Sequence, residues 1–259
     1  MKKIKAMTFA DLEVGTTGKV VQKKEVFPET GRKMMLTLFL LVTMTVTASA
    51  QKQGVLDAFS KYGIDTSILN DDNLQQPVDY AFDLKQTTVA ADKETTIVAK
   101  FDPSGSKDEQ WTVVSVDGKS PSKSDINTFR KNHGKQPASA KTDESSYKIE
   151  KETPDYLVIS YKQDAASIDK DAAFMKDCRL YMTVNLKTRR LEKVQAINEK
   201  PLKIKILKAE KLDLVMKYNW NEQAKRYFSS SEDLNILAKF LGQSLTVKTI
   251  TEYSNYIKK

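Results

Sequence analysis

The spacing of apolar residues changes character three times along this chain. From Met34 to Val46 the residues are mostly apolar and follow no period. From Gln51 to Leu74, Leu56, Phe59 and Tyr62 stand three apart and Gly63 supplies a stop, which predicts a helical lead-in over residues 51–76. After Pro77 the period becomes two. Val78, Tyr80, Phe82 and Leu84 alternate with Asp79, Ala81, Asp83 and Lys85, the pattern of a half-buried strand. Strands follow at Thr95–Phe101, Trp111–Val116, Tyr156–Tyr161, Cys178–Leu186, Leu191–Ile197, Leu202–Ile206 and Leu212–Trp220. Ser231–Gly242 fits either a helix or a strand. A strand is chosen, because Gly242-Gln243-Ser244 then makes a hairpin with Leu245–Tyr253.

The connections are short, apart from one strand–turn–helix unit. Asp117-Gly118 is tight-turn chemistry, but Lys119-Ser120-Pro121 follows it instead of a strand. Ser122-x-x-Asp125 is a capping box, and Ile126 and Phe129 behind it predict a helix ending at Gly134. Residues 133–146 are polar and read as a mobile loop. The fold class is therefore mainly β. An antiparallel meander over residues 77–259 curls into a half-barrel or barrel, with a short helix packed against it.

The apolar run has a different meaning. Arg32-Lys33 precedes it and Ala48-Ser49-Ala50 closes it, which is the order of a secretory signal peptide over residues 32–50. At 13 residues with three threonines, Met34–Val46 falls short of the roughly 20 apolar residues a spanning helix needs. Residues 1–31 are either a long n-region or, the preferred reading, an extension from a start site placed too far upstream. Cleavage between Ala50 and Gln51 would deliver the chain to the periplasm or beyond. Gln51 stands where a lipoprotein would carry cysteine, so the expectation is an untethered protein. Cys178 is the single cysteine, so an internal disulfide is excluded and packing must hold the domain together.

Export also changes the charge. Residues 1–50 carry eight Lys/Arg and four Asp/Glu, so their loss lowers the net charge from +8 to +4 and leaves 209 of the 259 residues. That mild excess suits peripheral contact with an anionic membrane surface and does not argue for nucleic acid. The sole histidine, His133, leaves no histidine cluster for a metal, and its polar surroundings read as a solvated loop. Cys178 falls on an apolar strand face and reads as a buried hydrophobe. No Gly-rich phosphate loop is present, and neither Asp71-Asp72 nor Asp169-x-Asp171 reads as more than turn residues. No catalytic residue, metal ligand or cofactor is assigned.

Two features could carry binding. Leu212, Leu214, Met216, Tyr218 and Trp220 form the longest apolar face of the chain, either core or the wall of an apolar cavity. Lys203, Lys205 and Lys208, within a run from Lys200 to Lys211, either contact an anionic partner or keep a strand soluble.

Trp111-x-x-x-Ser115-Val116-Asp117-Gly118-Lys119-x-Pro121-Ser122 resembles a poorly characterised family of exported bacterial β-rich proteins, as does the Tyr253-Ser254-Asn255-Tyr256 ending. In that resemblance Trp111, Asp117, Gly118 and Pro121 mark a structural turn. Strand count and inserted helix are also similar to the periplasmic outer-membrane lipoprotein carrier. That likeness implies a curved, incomplete barrel holding acyl chains on its concave face. The leading expectation is thus a non-catalytic envelope protein that binds or carries a lipid-like ligand or lipoprotein, with a void beside Leu212, Met216 and Trp220. The alternative is an interaction protein with a filled core, meeting its partner by a sheet edge or the lysine run. A carboxylate-based hydrolase comes third.

Overall fold

The computed structural model describes residues 50–134, 139–204, 207–240 and 243–259. The apolar run, its cleavage site and the residues before it lie outside that range, apart from Ala50. Helix α1 covers residues 50–62 and ends at Gly63, whose φ of +62° continues no helix. Two 3-10 turns follow, Thr66–Leu69 and Asp71–Leu74, capped by the side chains of Asp65 and Asn70.

The remaining chain forms one antiparallel sheet. Its strands are β1 (Tyr80–Ala90), β2 (Lys93–Phe101), β3 (Trp111–Val116), β4 (Thr142–Glu152), β5 (Tyr156–Gln163), β6 (Cys178–Asn185), β7 (Arg190–Asn198), β8 (Leu202–Ile204), β9 (Leu207–Asn221), β10 (Arg226–Phe240) and β11 (Gln243–Lys258). Helix α2 (Lys123–His133) follows β3, and a third 3-10 segment, Lys170–Asp177, precedes β6. The spatial order is β3-β2-β1-β11-β10-β9-β7-β6-β5-β4, with β8 paired to β9 beside it. The sheet is curled but not closed, so the half-barrel alternative holds and the barrel does not. The segment chosen as a strand over residues 231–242 is strand over its described part, the second half of β10. The first and last strands pair along their length, from Tyr80 opposite Lys258 to Ala90 opposite Val247, and this joins the two ends of the chain into one sheet.

Local chemistry explains the turns. Asp117 and Gly118 take φ of 51° and 72°, and Val116 and Lys119 exchange backbone hydrogen bonds of 3.0 Å each, so the dipeptide does close a tight turn of one residue pair. The Asp117 carboxylate accepts from the Thr96 amide at 2.8 Å. Ser122 and Asp125 complete the capping box of α2. Asn185 and Asn221 each accept from two following amides, and Arg189 and Lys225, both at positive φ, finish two matching hairpin turns.

Four expectations need correction. The loop expected over residues 133–146 is too long at both ends: His133 ends α2 and Thr142 opens β4, while residues 135–138 lie outside the described range. As an edge strand with only Tyr147 buried, β4 has no alternating apolar signal to read. His133 is not solvated; its ring stacks on Phe129 at 3.9 Å and meets Trp111 edge-on, and burial lowers its pKa. Val78 precedes β1 and is 68% exposed. In α1 the buried stripe is Val55, Ala58 and Phe59, with Leu56 off it, the four-residue step being as favourable as the three-residue one.

Candidate functional site: the concave face

Facing pairs across each ladder place side chains on a common face, so the register can be followed from one edge of the sheet to the other. One row runs Ile97, Gln86, Thr251, Glu232, Met216, Val194, Met182, Ile159, Ile149. A second runs Thr95, Thr88, Thr249, Leu234, Leu214, Ala196, Leu180, Tyr161. A third brings Ala90, Val247, Ile236 and Leu212 together. These rows are the concave face, and they change character at β9. From β9 to β5 the positions are almost all apolar. From β10 to β1 the first row is Glu232, Thr251 and Gln86, and the second gains two threonines.

Each part has its own neighbours. The apolar half is covered by the segment from α1 to Leu74, whose Val55, Phe59, Ile64 and Ile68 pack with Leu157, Ile159, Tyr161, Met182 and Val194 in one buried cluster. Two ion pairs, Lys52–Glu144 and Lys61–Glu152, tie α1 to β4, and the Arg226 guanidinium donates to the Gln75 carbonyl at 2.9 Å from β10. At the far side α2 closes an aromatic cluster of Phe82, Trp111 and Phe129 with Leu84, Ala99 and Val113. Between the two covers lies a strip where Gln86, Thr88, Thr249, Glu232, Leu234, Leu214, Met216 and Val247 are all half-buried.

The β9 residues singled out from sequence lie along this boundary. Leu212 is 2% exposed and packs with Cys178, Leu202 and Ile236. Leu214 and Met216 form one rim of the strip, while Tyr218 is buried. Trp220 packs against Tyr227 at 5.0 Å with the Arg190 guanidinium 4.1 Å over its ring. The face is therefore core at its two ends and half-open in the middle. Two surface hollows, of about 480 and 310 Å³, lie elsewhere; neither is lined by any residue of 212–220. Among the lysines, Lys203 faces Lys208, which faces Lys239, and Lys239 pairs with Glu210 at 2.7 Å. Lys205 falls outside the described residues. Trp111 is buried and donates to the His133 carbonyl at 3.1 Å. With Asp117, Gly118 and Pro121 it shapes the route into α2, away from the strip.

Two acids near the strip were missed by sequence reasoning. Asp71, in the covering segment, is pushed up from 3.8 to about 6 by burial and by the Asp72 charge, against a hydrogen bond from the Tyr161 hydroxyl that lowers it. Glu232 is raised by desolvation alone. Both raise the Tyr218 phenol, after burial, and Glu232 does the same to Tyr253. A signal existed for Glu232: it stands two residues before Leu234 and in phase with Ile236 and Ala238, so alternation alone points it inward. Asp71 carried none. No cluster of three metal-type ligands occurs among the described residues.

The chain matches no protein-family model and no curated protein. Among solved structures it resembles a LolA superfamily protein from Nitrosomonas europaea at 12% identity, over 74% of this chain and 92% of that one, with a TM-score of 0.34. A likeness at that level carries no argument about function.

Proposed function

We propose that this protein is an exported, non-catalytic binder of an amphipathic, lipid-like molecule, held along the concave strip beside β9. The observation that supports it is the strip itself. Leu214, Met216, Leu234 and Val247 are large apolar residues at the margin of the packed clusters, each still half-buried, and polar Gln86, Thr88 and Thr249 line the opposite rim. An apolar chain laid there would bury the exposed part of four side chains, at about 25 cal/mol per Å² of apolar surface. Its polar end would meet hydroxyls and an amide instead of hydrocarbon. A groove of this kind replaces the enclosed void expected beside Trp220, where the ring is occupied by Tyr227 and Arg190.

Native mass spectrometry of the full chain from its own host provides the test, with lipid expected to leave the solvent phase bound to the protein. Leu234→Arg, which puts a long charged side chain in the groove, should strip that lipid without unfolding the sheet. Lipid retained unchanged in the variant would place the binding elsewhere and refute the strip.

A second reading has one observation in its favour. Lys203, Lys208 and Lys239 stand in adjacent ladder positions, where like charges repel; Glu210 answers Lys239, and an anionic surface would answer the other two. The sheet edges favour this lysine version over edge pairing. The outer groups of β3 are taken at both ends, by Arg130 Nε donating to the Trp111 carbonyl at 3.0 Å and by the Val116–Lys119 pair, and β4 is studded with charge.

A further inference from the structure

Glu232 is out of place for a strip built to hold a simple fatty acid. Its row position puts it on the concave face between Thr251 and Met216, where Thr251 is 2% exposed. Among the described residues, no hydrogen bond or ion pair reaches its carboxylate. Asp102, Glu150, Glu152, Glu199, Glu210 and Glu222 are all held low by lysine, arginine or hydroxyl partners, so this chain ordinarily partners its acids. A desolvated carboxylate with no partner is costly, and Glu232 is half-buried, so a cation brought to it would relieve that cost. The neighbouring Gln86 donates its amide to the Thr251 hydroxyl at 3.3 Å, which leaves the Gln86 carbonyl oxygen as an acceptor. On the other flank, Tyr218 lies within the field of a second carboxylate, Asp71. The polar end of the strip thus offers acceptors, and negative charge when Glu232 is ionised, the form that a neighbouring cation favours.

Building on the strip as a binding groove, we infer that its ligand is an amphiphile with a cationic head, an amine or ammonium group seated at Glu232 with its chain over Met216, Leu214 and Leu234. An ammonium carries three donors and no acceptor, which suits two carboxylate oxygens and an amide carbonyl. An anionic head in the same place would be repelled by the ionised form of Glu232, the form an ammonium favours, with Asp71 adding to the repulsion. The half-buried position strengthens both the attraction and the repulsion relative to water.

The experiment compares three ten-carbon probes on the full chain by isothermal titration calorimetry at pH 7.5, below their micellar concentrations: decylamine, decanoate and decyl maltoside. The expected result is at least tenfold tighter binding of decylamine than of decanoate, with the neutral maltoside between them. In Glu232→Gln the amine and carboxylate should come within about threefold of each other. Equal affinities for amine and carboxylate in the parent overturn the cationic-head inference whatever the variant does, and so does a preference that survives in Glu232→Gln. In either case maltoside binding would keep the groove itself standing. If none of the three probes binds, the groove falls and the inference falls with it.

Discussion

Asp71 is the residue whose replacement should make this protein more stable. It sits in the 3-10 turn Asp71–Leu74, docked on the concave face where Tyr161 is 2% exposed. Burial and Asp72 raise its pKa from 3.8 to about 6, so the folded chain holds the proton more tightly than the unfolded one. At 1.36 kcal/mol per unit, that shift corresponds to an order-of-magnitude penalty of about 3 kcal/mol for the ionised side chain. The penalty is present in full above the folded pKa, shrinks as pH falls from about 6 toward 4, and is absent below the unfolded value. Glu150 and Glu199, whose pKa values are lowered by partners, act in the opposite sense and lose stability over the acid range, so the parent curve alone cannot isolate Asp71. Asp71→Asn does so by difference, because its amide oxygen can still accept from Tyr161 and the charge is gone. Urea unfolding of parent and variant at intervals from pH 4 to 8 should show the variant more stable by up to about 3 kcal/mol at pH 7.5 and above. The gap should close between pH 6 and pH 4. A gap that is flat with pH, or a variant less stable than the parent at pH 7.5, would refute a buried, destabilising carboxylate at this position.

Two further substitutions test the packing. Phe59, 0% exposed at the centre of α1, should cost about 3 to 5 kcal/mol when changed to alanine; a loss below 1 kcal/mol in urea unfolding would mean that α1 is not docked on the sheet. Cys178, also 0% exposed, has its thiol pushed up to about 11 by burial, so a bulky thiol reagent at pH 7.5 should label the native protein far more slowly than the urea-unfolded one. Cys178→Ser puts a hydroxyl among Leu202, Leu212 and Ile236 and should cost on the order of 1 to 3 kcal/mol, while equal labelling rates in both states would show an exposed thiol.

The sequence by itself determined those features that depend on neighbouring residues. Alternation from Tyr80 to Leu84, from Cys178 to Val184 and along Leu212 to Tyr218 gave strands, because side-chain parity in an extended chain is a local property. Asp117-Gly118 gave its turn and Ser122-x-x-Asp125 its helix start for the same reason. Tertiary structure alone decided what each face meets. Pairing of β1 with β11 joins residues 157 to 178 positions apart, and no local pattern records such a partner. The edge strand β4 shows no alternation because one flank has no neighbour to bury against. Asp71 and Asp72 read alike as turn residues, and only the docking of their 3-10 turn onto β5, β9 and β10 makes one of them a buried acid. Glu232 was legible as inward-pointing by its phase with Leu234. That it stands opposite Thr251 instead of a lysine was fixed by the β10–β11 register, since burial and charge pairing are properties of the assembled sheet and not of the strand.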